Sequence, residues 1–242
     1  MALAVHVPQS VDEVVGLLSG GGTVLAGGTH VMPHLGPSGS LVSLRHAGLA
    51  GISESDGVVT IGAATTLAQV GREVAFLRDA IESIASPTIR NLATVGGNLF
   101  VPQPHGDLAV CLLALDARVT IVDSEGSREV SVEEAEGLVT QVSFKTPAQW
   151  FYTKAMRRKQ NSASIVTVAS DGVRIALGGV SRRPVRALAA EAALAGTIDR
   201  EHVEAAAAAA VDDADPFDDA YASAWYRRRV LPVHVRRALL GE

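Results

Sequence analysis

Two stretches of this 242-residue chain set a Gly-Gly pair between apolar residues and a small polar one: "VLAGGTHV", Val24 to Val31, and "TVGGN", Thr94 to Asn98. Glycine carries no Cβ, so the backbone at Gly27, Gly28, Gly96 and Gly97 is free to take φ > 0 and to approach a bound group closely. Successive N–H groups in such a bend form a concave nest for an anion. The pyrophosphate of a dinucleotide, rich in charge and acceptor oxygens, suits two such bends converging. The hydroxyls of Thr29 and Thr94 and the amide of Asn98 would add donors. Glycine is also the default turn residue, and on these residues alone a pair of tight turns and a pair of anion nests stand level. Neither stretch fits G-x-G-x-x-G or the phosphate loop G-x-x-x-x-G-K-[ST].

Other reactive side chains offer less. His30 and His34 have helical metal-ligand spacing, but Pro33 between them argues against a helix and against a metal. His105 near Asp107 invites an acid–base pair, yet a loop histidine beside glycine is more often solvated or hydrogen-bonded. No Ser-His-Asp set with an elbow motif is visible. Cys111, the one cysteine, sits in the apolar run "LAVCLLALDA" as a small buried hydrophobe, and can form neither an internal disulfide nor a cluster site.

The elements that must position these loops can be sketched from periodicity. "VPQSVDEVVGLLSGGG" predicts a helix with Ser10 and Glu13 as a capping box, Val11, Val14, Val15 and Leu18 as its buried stripe, and Gly20 to Gly22 as its stop. "TVLA", "LVSLR" and "VVTIGA" predict strands, and residues 65 to 85 are mostly helical. "DLAVCLLALDA" predicts an apolar helix, and "RVTIVDSEGSREVSV" a hairpin about Glu125-Gly126. Beyond residue 145, "SASIVTVASDGVRIALGGV" predicts a hairpin with Asp171-Gly172 as a two-residue turn. From Val185 the chain is almost wholly helical, ending in two helices split near Leu231-Pro232. Strands followed by helices, without βα alternation, point to α+β segments rather than a Rossmann sheet.

Composition bounds the possibilities. With 48% hydrophobic residues the chain can bury sizeable cores. A net charge of -5 argues against a nucleic-acid partner. No stretch reaches the roughly 20 apolar residues of a membrane span, and "MALAVHVPQS" is too short for a signal peptide. A soluble, cytoplasmic protein is the expectation. An acidic run at Asp212, Asp213, Asp215, Asp218 and Asp219 precedes Arg227, Arg228, Arg229, Arg236 and Arg237, as solvated faces, helix-end charges or a partner surface.

Taken in order, "LAGGTHVMP", "IGAATTLAQV", "IRNLATVGGNLF", "PHGDLAVCLLALDA", "YTKAMRRKQNSASI" and "SAWYRRRVLPVHVRRAL" resemble the FAD-binding medium subunits of molybdenum hydroxylases over essentially the whole chain. This is the family of carbon monoxide dehydrogenase medium subunits and of the xanthine dehydrogenase flavin domain. The resemblance implies an α+β fold of the PCMH type. Two N-terminal α/β subdomains, residues 1–55 and 56–145, would hold FAD, and an antiparallel sheet with helices, 146–242, would close over it. It implies that Val24, Leu25, Ala26, Gly27, Gly28, Thr29, His30 and Val31 form a first pyrophosphate loop, and Thr94, Val95, Gly96, Gly97 and Asn98 a second. Asp107 would serve the adenosine part, and Lys154 would reach the flavin ring, where a cation stabilises the charge of the reduced form. No residue is implied to be catalytic. Departures from the family pattern are His30 for an acidic residue, Asn161 for aspartate and Trp225 for glutamate.

The implied function is electron transfer from a small 2Fe-2S subunit through FAD to a terminal acceptor. Substrate oxidation would occur on a large molybdopterin subunit, and the assembly would be a dimer of heterotrimers. The rival readings are a self-standing flavoprotein oxidase and a flavin-less assembly subunit.

Overall fold

The structure is a computed structural model and describes residues 3–159 and 161–241. Met1, Ala2, Gln160 and Glu242, which fall in the expected first and third divisions, lie outside the described residues.

The chain opens with β1 (Leu3–His6), α1 (Val11–Ser19), β2 (Thr23–Leu25) and β3 (Gly39–Ser43), whose three strands form a parallel sheet in the order β1-β3-β2. The expectation of no βα alternation therefore fails here. β1 is too short and too exposed for its alternation to register in the sequence, and it is β1 that makes α1 a crossover between parallel strands. The Ser10 side chain caps α1 by accepting from the Glu13 N–H at 3.3 Å, while Glu13 turns back to accept from the Gln9 N–H at 2.8 Å. Val14 anchors the helix in a small core with Val42, Leu44 and Leu138.

Next come β4 (Ile52–Ser55), β5 (Val58–Gly62) and the short helices α2 (Leu67–Glu73), α3 (Arg78–Glu82), α4 (Pro87–Arg90) and α5 (Val95–Leu99). They are followed by α6 (Asp107–Ala114), β6 (Arg118–Asp123), β7 (Gly126–Ser131) and β8 (Leu138–Lys145). The strands make an antiparallel sheet in the order β4-β5-β8-β6-β7. Every residue of α6 is buried, as expected of a helix that is apolar all round. It earns that burial by lying between layers: Leu108, Val110, Leu112 and Leu113 join one core with Ile61 and Val142 on one side and Ala169 and Ala176 on the other.

The last layer holds β9 (Phe151–Met156), β10 (Ser164–Ser170), β11 (Ile175–Gly178) and β12 (Val185–Arg186), antiparallel in the order β12-β11-β10-β9. Behind it pack α7 (Leu188–Leu194), α8 (Arg200–Ala209) and α9 (Ala224–Leu240). Two local expectations are corrected. The β10–β11 connection has four residues, not two, because Ser170 pairs with Ile175. Asp171 closes it by accepting from the N–H groups of Val173 and Arg174. The closing helices are one helix: α9 runs through Pro232, since buried Leu231, Val235, Ala238 and Leu239 keep one apolar stripe across it and offset the proline cost of about 3 kcal/mol.

Arg227 fastens α9 to the sheet. It is fully buried, and its Nη1 donates to the carbonyls of Ser164, Ile165 and Gly179 at 3.0, 2.6 and 2.7 Å. Ser164 and Ile165 lie where the β9–β10 register shifts, so those carbonyls are the ones an irregularity in the ladder releases. Nη2 pairs with Asp219 at 2.7 Å. The acidic run thus works partly within the chain. Asp213 accepts from the Ala189 N–H, Asp218 from the Ala224 N–H, and Asp219 from those of Tyr221 and Ala222. Arg227→Met would leave three carbonyls without their donor and Asp219 without its cation, though Asp219 keeps its two backbone partners. A loss of at least about 3 kcal/mol is expected, read as a lowered urea midpoint; an unchanged midpoint would refute the tether.

Candidate functional site

A cavity of about 620 Å³, in the range of small-molecule sites, opens where the three layers meet. Both glycine segments line it. So do Asp107 and Lys154, and of the residues expected at the site only Leu25 and Val95 stay out of its wall. Val95 is fully buried in the central core, and Leu25 ends β2.

The two segments turn out to be built differently. In the first, only Gly28 has a left-handed backbone, with φ +71. Gly27 serves close approach instead: a Cβ there would lie 1.8 Å from the Leu92 carbonyl oxygen, so the first segment rests directly on the backbone leading into the second. Among the described residues, no protein group accepts a hydrogen bond from the N–H of Gly27, Gly28, Thr29, His30 or Val31. Five uncommitted donors in a row at a cavity wall are what an anion nest requires.

The second segment is no nest and no φ > 0 bend, contrary to expectation. Gly96 and Gly97 sit in the first turn of α5, with Thr94 as N-cap accepting from the Gly97 N–H at 3.2 Å. Its amides are already used: Val95 donates to Thr65, Gly96 to Ala63 and Asn98 to Thr94 through their carbonyls. Gly96 is a packing glycine, since a Cβ would meet that of Ala63 at 2.9 Å. Gly97 is different, its added Cβ meeting only Thr94 Oγ1 at 3.0 Å. The segment therefore offers the cavity space and side chains rather than backbone donors. Asn98 is buried and its Oδ1 accepts from the Leu108 N–H at 3.0 Å, tying α5 to the start of α6.

Asp107 and Lys154, expected at opposite parts of the cofactor, meet each other. Lys154 Nζ donates to Asp107 Oδ2 at 2.8 Å and to the Ser83 carbonyl at 2.9 Å, with both side chains almost fully buried. Asp107 Oδ1 accepts from Ser164 Oγ at 2.5 Å and Thr167 Oγ1 at 2.7 Å. The carboxylate already accepts three bonds from the protein, which leaves its assignment to ribose hydroxyls without support. Tyr152, hydrogen-bonded to Ser83 Oγ at 2.8 Å, completes the network, and burial followed by the nearby Asp107 charge pushes its pKa well up.

The histidines take no acid–base roles. His34 Nδ1 lies 2.8 Å from the His30 carbonyl oxygen, and among the described residues no group of three or more His, Cys, Asp or Glu could hold a metal. His105 meets Asp107 only through a backbone bond; its ring stands edge-on to Tyr221, with centroids 5.6 Å apart. Desolvation lowers its pKa, so the ring is neutral at pH 7. Cys111 is buried, and desolvation pushes its thiol pKa far up, so it stays a protonated packing group. Arg158, Ser162, Ala163 and Tyr221 also line the cavity, and motif reasoning passed over them as site residues. Arg158 had a cue in the Arg-Arg pair; Tyr221, in an irregular stretch, had none.

An α+β protein with a cavity walled by a free-amide loop, a capped glycine helix and a buried lysine is a binder of a dinucleotide-sized anion. Residues 1–142 match the FAD binding domain in molybdopterin dehydrogenase, and residues 150–241 the CO dehydrogenase flavoprotein C-terminal domain. The chain belongs to the family of FAD-binding medium subunits of molybdenum hydroxylases. It is 32% identical to the 6-hydroxypseudooxynicotine dehydrogenase complex subunit alpha of Paenarthrobacter nicotinovorans, over 96% of this chain and 92% of that one. To the carbon monoxide dehydrogenase medium chain of Afipia carboxidovorans it is 30% identical, over 97% and 94%. A crystal structure of Cu,Mo-CO dehydrogenase in its cyanide-inactivated form aligns with TM-score 0.90 at 28% identity, covering 99% of this chain and 97% of that one. Quinoline 2-oxidoreductase from Pseudomonas putida 86 aligns at 0.88 and 27%, covering 100% and 96%.

The two glycine roles separate experimentally. Gly27→Ala puts a methyl into the Leu92 carbonyl and is expected to lower both the urea midpoint and FAD retention. Gly97→Val extends into open cavity. It is expected to keep the unfolding free energy within about 1 kcal/mol of wild type while weakening FAD retention by about tenfold or more, measured by equilibrium dialysis. Normal FAD content in Gly97→Val would remove this residue from the site.

Proposed function

We propose that this chain is the electron-transfer subunit of a molybdenum hydroxylase complex, receiving electrons from a small 2Fe-2S subunit and passing them through FAD to a terminal acceptor. The observation that carries the proposal is the run of free amides from Gly27 to Val31 facing a cavity of cofactor size, in a chain of the FAD-binding family. Substrate oxidation belongs to a large molybdopterin subunit. This division of labour is supported by relatives named as medium chains or as subunits of dehydrogenase complexes. A dimer of heterotrimers in the cytoplasm is part of the same proposal, as is a three-part division of the chain at 55/56 and 145/146, although the five-stranded sheet crosses the first boundary because β4 lies ahead of it. No helix among the described residues is long and apolar enough to cross a membrane.

FAD supplies the site with a two-electron centre whose ring gains negative charge on reduction. The amides of Gly27 to Val31 bind the diphosphate, and the Thr29 hydroxyl, which has no protein partner among the described residues, adds a donor. Because these contacts are main-chain, His30 in place of an acidic residue leaves them intact, which removes one of the two departures that favour a flavin-less subunit, the other being Asn161. Thr94 and Asn98 contribute from the opposite segment, and Gly97 leaves room for the bridge. Lys154 holds a positive charge at a fixed place in the wall. Asp107 and the Ser83 carbonyl hold its Nζ in place, so its effect on the cofactor is electrostatic.

Two measurements test this. Purified protein is expected to show flavin absorption bands, and adding the chemically reduced iron–sulfur subunit without oxygen should bleach them; bands that persist would exclude the electron-transfer role. Lys154→Gln keeps a donor for Asp107 but removes the charge. The midpoint potential of bound FAD is expected to fall, by about 30 mV for each tenfold loss in preference for the reduced form. An unchanged potential would disconnect Lys154 from the flavin.

A further inference from the structure

The C-terminal layer brings one aromatic side chain to the cavity, and the chain invests much in holding it there. Tyr221 lines the wall, and its hydroxyl makes no hydrogen bond among the described residues. It sits in an irregular segment ahead of α9 that is fastened at three points. Asp219 Oδ1 accepts from the N–H of Tyr221 itself at 2.8 Å and of Ala222 at 2.9 Å, closing a side-chain-capped turn. Asp219 Oδ2 is held by buried Arg227. Arg157, at the end of β9, donates to the Ala220 carbonyl at 2.9 Å. The Tyr221 ring makes a T-shaped contact with neutral His105. A phenol so fixed in the wall of a ligand cavity, with no hydrogen bond to its hydroxyl among the described residues, is positioned to contact a planar ring.

We propose that Tyr221 is a positioning residue for the flavin: its ring forms the wall against which the isoalloxazine rests, and the Asp219–Arg227–Arg157 contacts serve to present it. The inference rests on the FAD reading above and adds a residue and an orientation to it. The flavin rather than the adenine is assigned to this wall because His105, whose ring Tyr221 contacts, lies within electrostatic reach of the Asp107–Lys154 pair, the buried cation that a ring changing charge can use. Val24, Leu44 and Leu138 make the other, apolar wall, which suits a ring of constant charge.

Flavin emission provides a readout independent of turnover. A phenol in contact with excited isoalloxazine quenches it by donating an electron, whereas a benzene ring does not. Among the described residues the cavity lining holds one tyrosine and no tryptophan, so the assay is specific. In the FAD-loaded protein, Tyr221→Phe is expected to raise flavin fluorescence several-fold with unchanged FAD affinity. Tyr221→Ala should raise it as well and weaken FAD binding by about two- to tenfold. Arg157→Ala, which loosens the turn from its exposed side, should give an intermediate rise.

Wild-type emission in Tyr221→Phe overturns the proposal. Weaker binding in Tyr221→Ala without brighter emission also overturns it, since that places the ring against the adenine. Wild-type emission in Arg157→Ala overturns the part assigned to the turn. If the wild-type protein itself takes up no FAD, the flavin reading fails and this inference with it; if it binds FAD and the variants behave as wild type, the inference fails alone.

Discussion

A carboxylate removed from water needs its charge balanced and its lone pairs filled, and Asp107 meets both needs by drawing three elements together. It opens α6, pairs with Lys154 on β9, and accepts from Ser164 and Thr167 on β10. Removing either charge alone would leave the other buried and unpaired, a cost of several kcal/mol. The C-terminal sheet is thereby registered against the helix that runs through the centre of the molecule. The cavity forms at this junction, and its one buried cation is a by-product of how the layers are joined. A charge built into a structural ion pair keeps its place whether or not a ligand is present.

The same economy recurs farther along the chain. Arg227 satisfies carbonyls released by an irregularity in β10, and through Asp219 it also shapes the segment that carries Tyr221 to the cavity. Its side chain spans from sheet to loop, with its guanidinium 4.9 Å from the Phe217 ring centroid. Of the readings open for the acidic run, helix-end charges fit best: it is spent largely on helix starts and on this turn. What remains exposed and basic on α9 is Arg228, Arg229 and Arg237, flanked by exposed Trp225 and Tyr226.

The glycine pairs show how identical local sequence acquires different physical roles. Gly28 uses its backbone freedom; Gly27 and Gly96 use only their lack of Cβ against a neighbouring backbone or side chain; Gly97 uses it to leave space. A single sequence shows that a position has no side chain, but not what would collide with one. That depends on Leu92 and Ala63, which arrive from elsewhere in the chain. The amides follow the same logic. Those of Val95 and Gly96 are consumed by the Thr65 and Ala63 carbonyls, while those of Gly27 to Val31 find none.

Local chemistry was legible in the sequence. The Ser10 cap, the hairpin near Gly126, the largely apolar α6 and the two glycine segments all follow from periodicity, capping and composition, because the forces involved act within a few residues. The motif pattern extended this to the cofactor class and to thirteen of the thirty residues that line the cavity. Tertiary structure alone decided that β1 pairs in parallel beside β3, that α9 continues through Pro232, that Asp107 and Lys154 neutralise each other, and that Tyr221 reaches the site. Each of these rests on contacts between residues many positions apart. Their energy comes from burial and from charges desolvated together, quantities that exist only once the layers have packed.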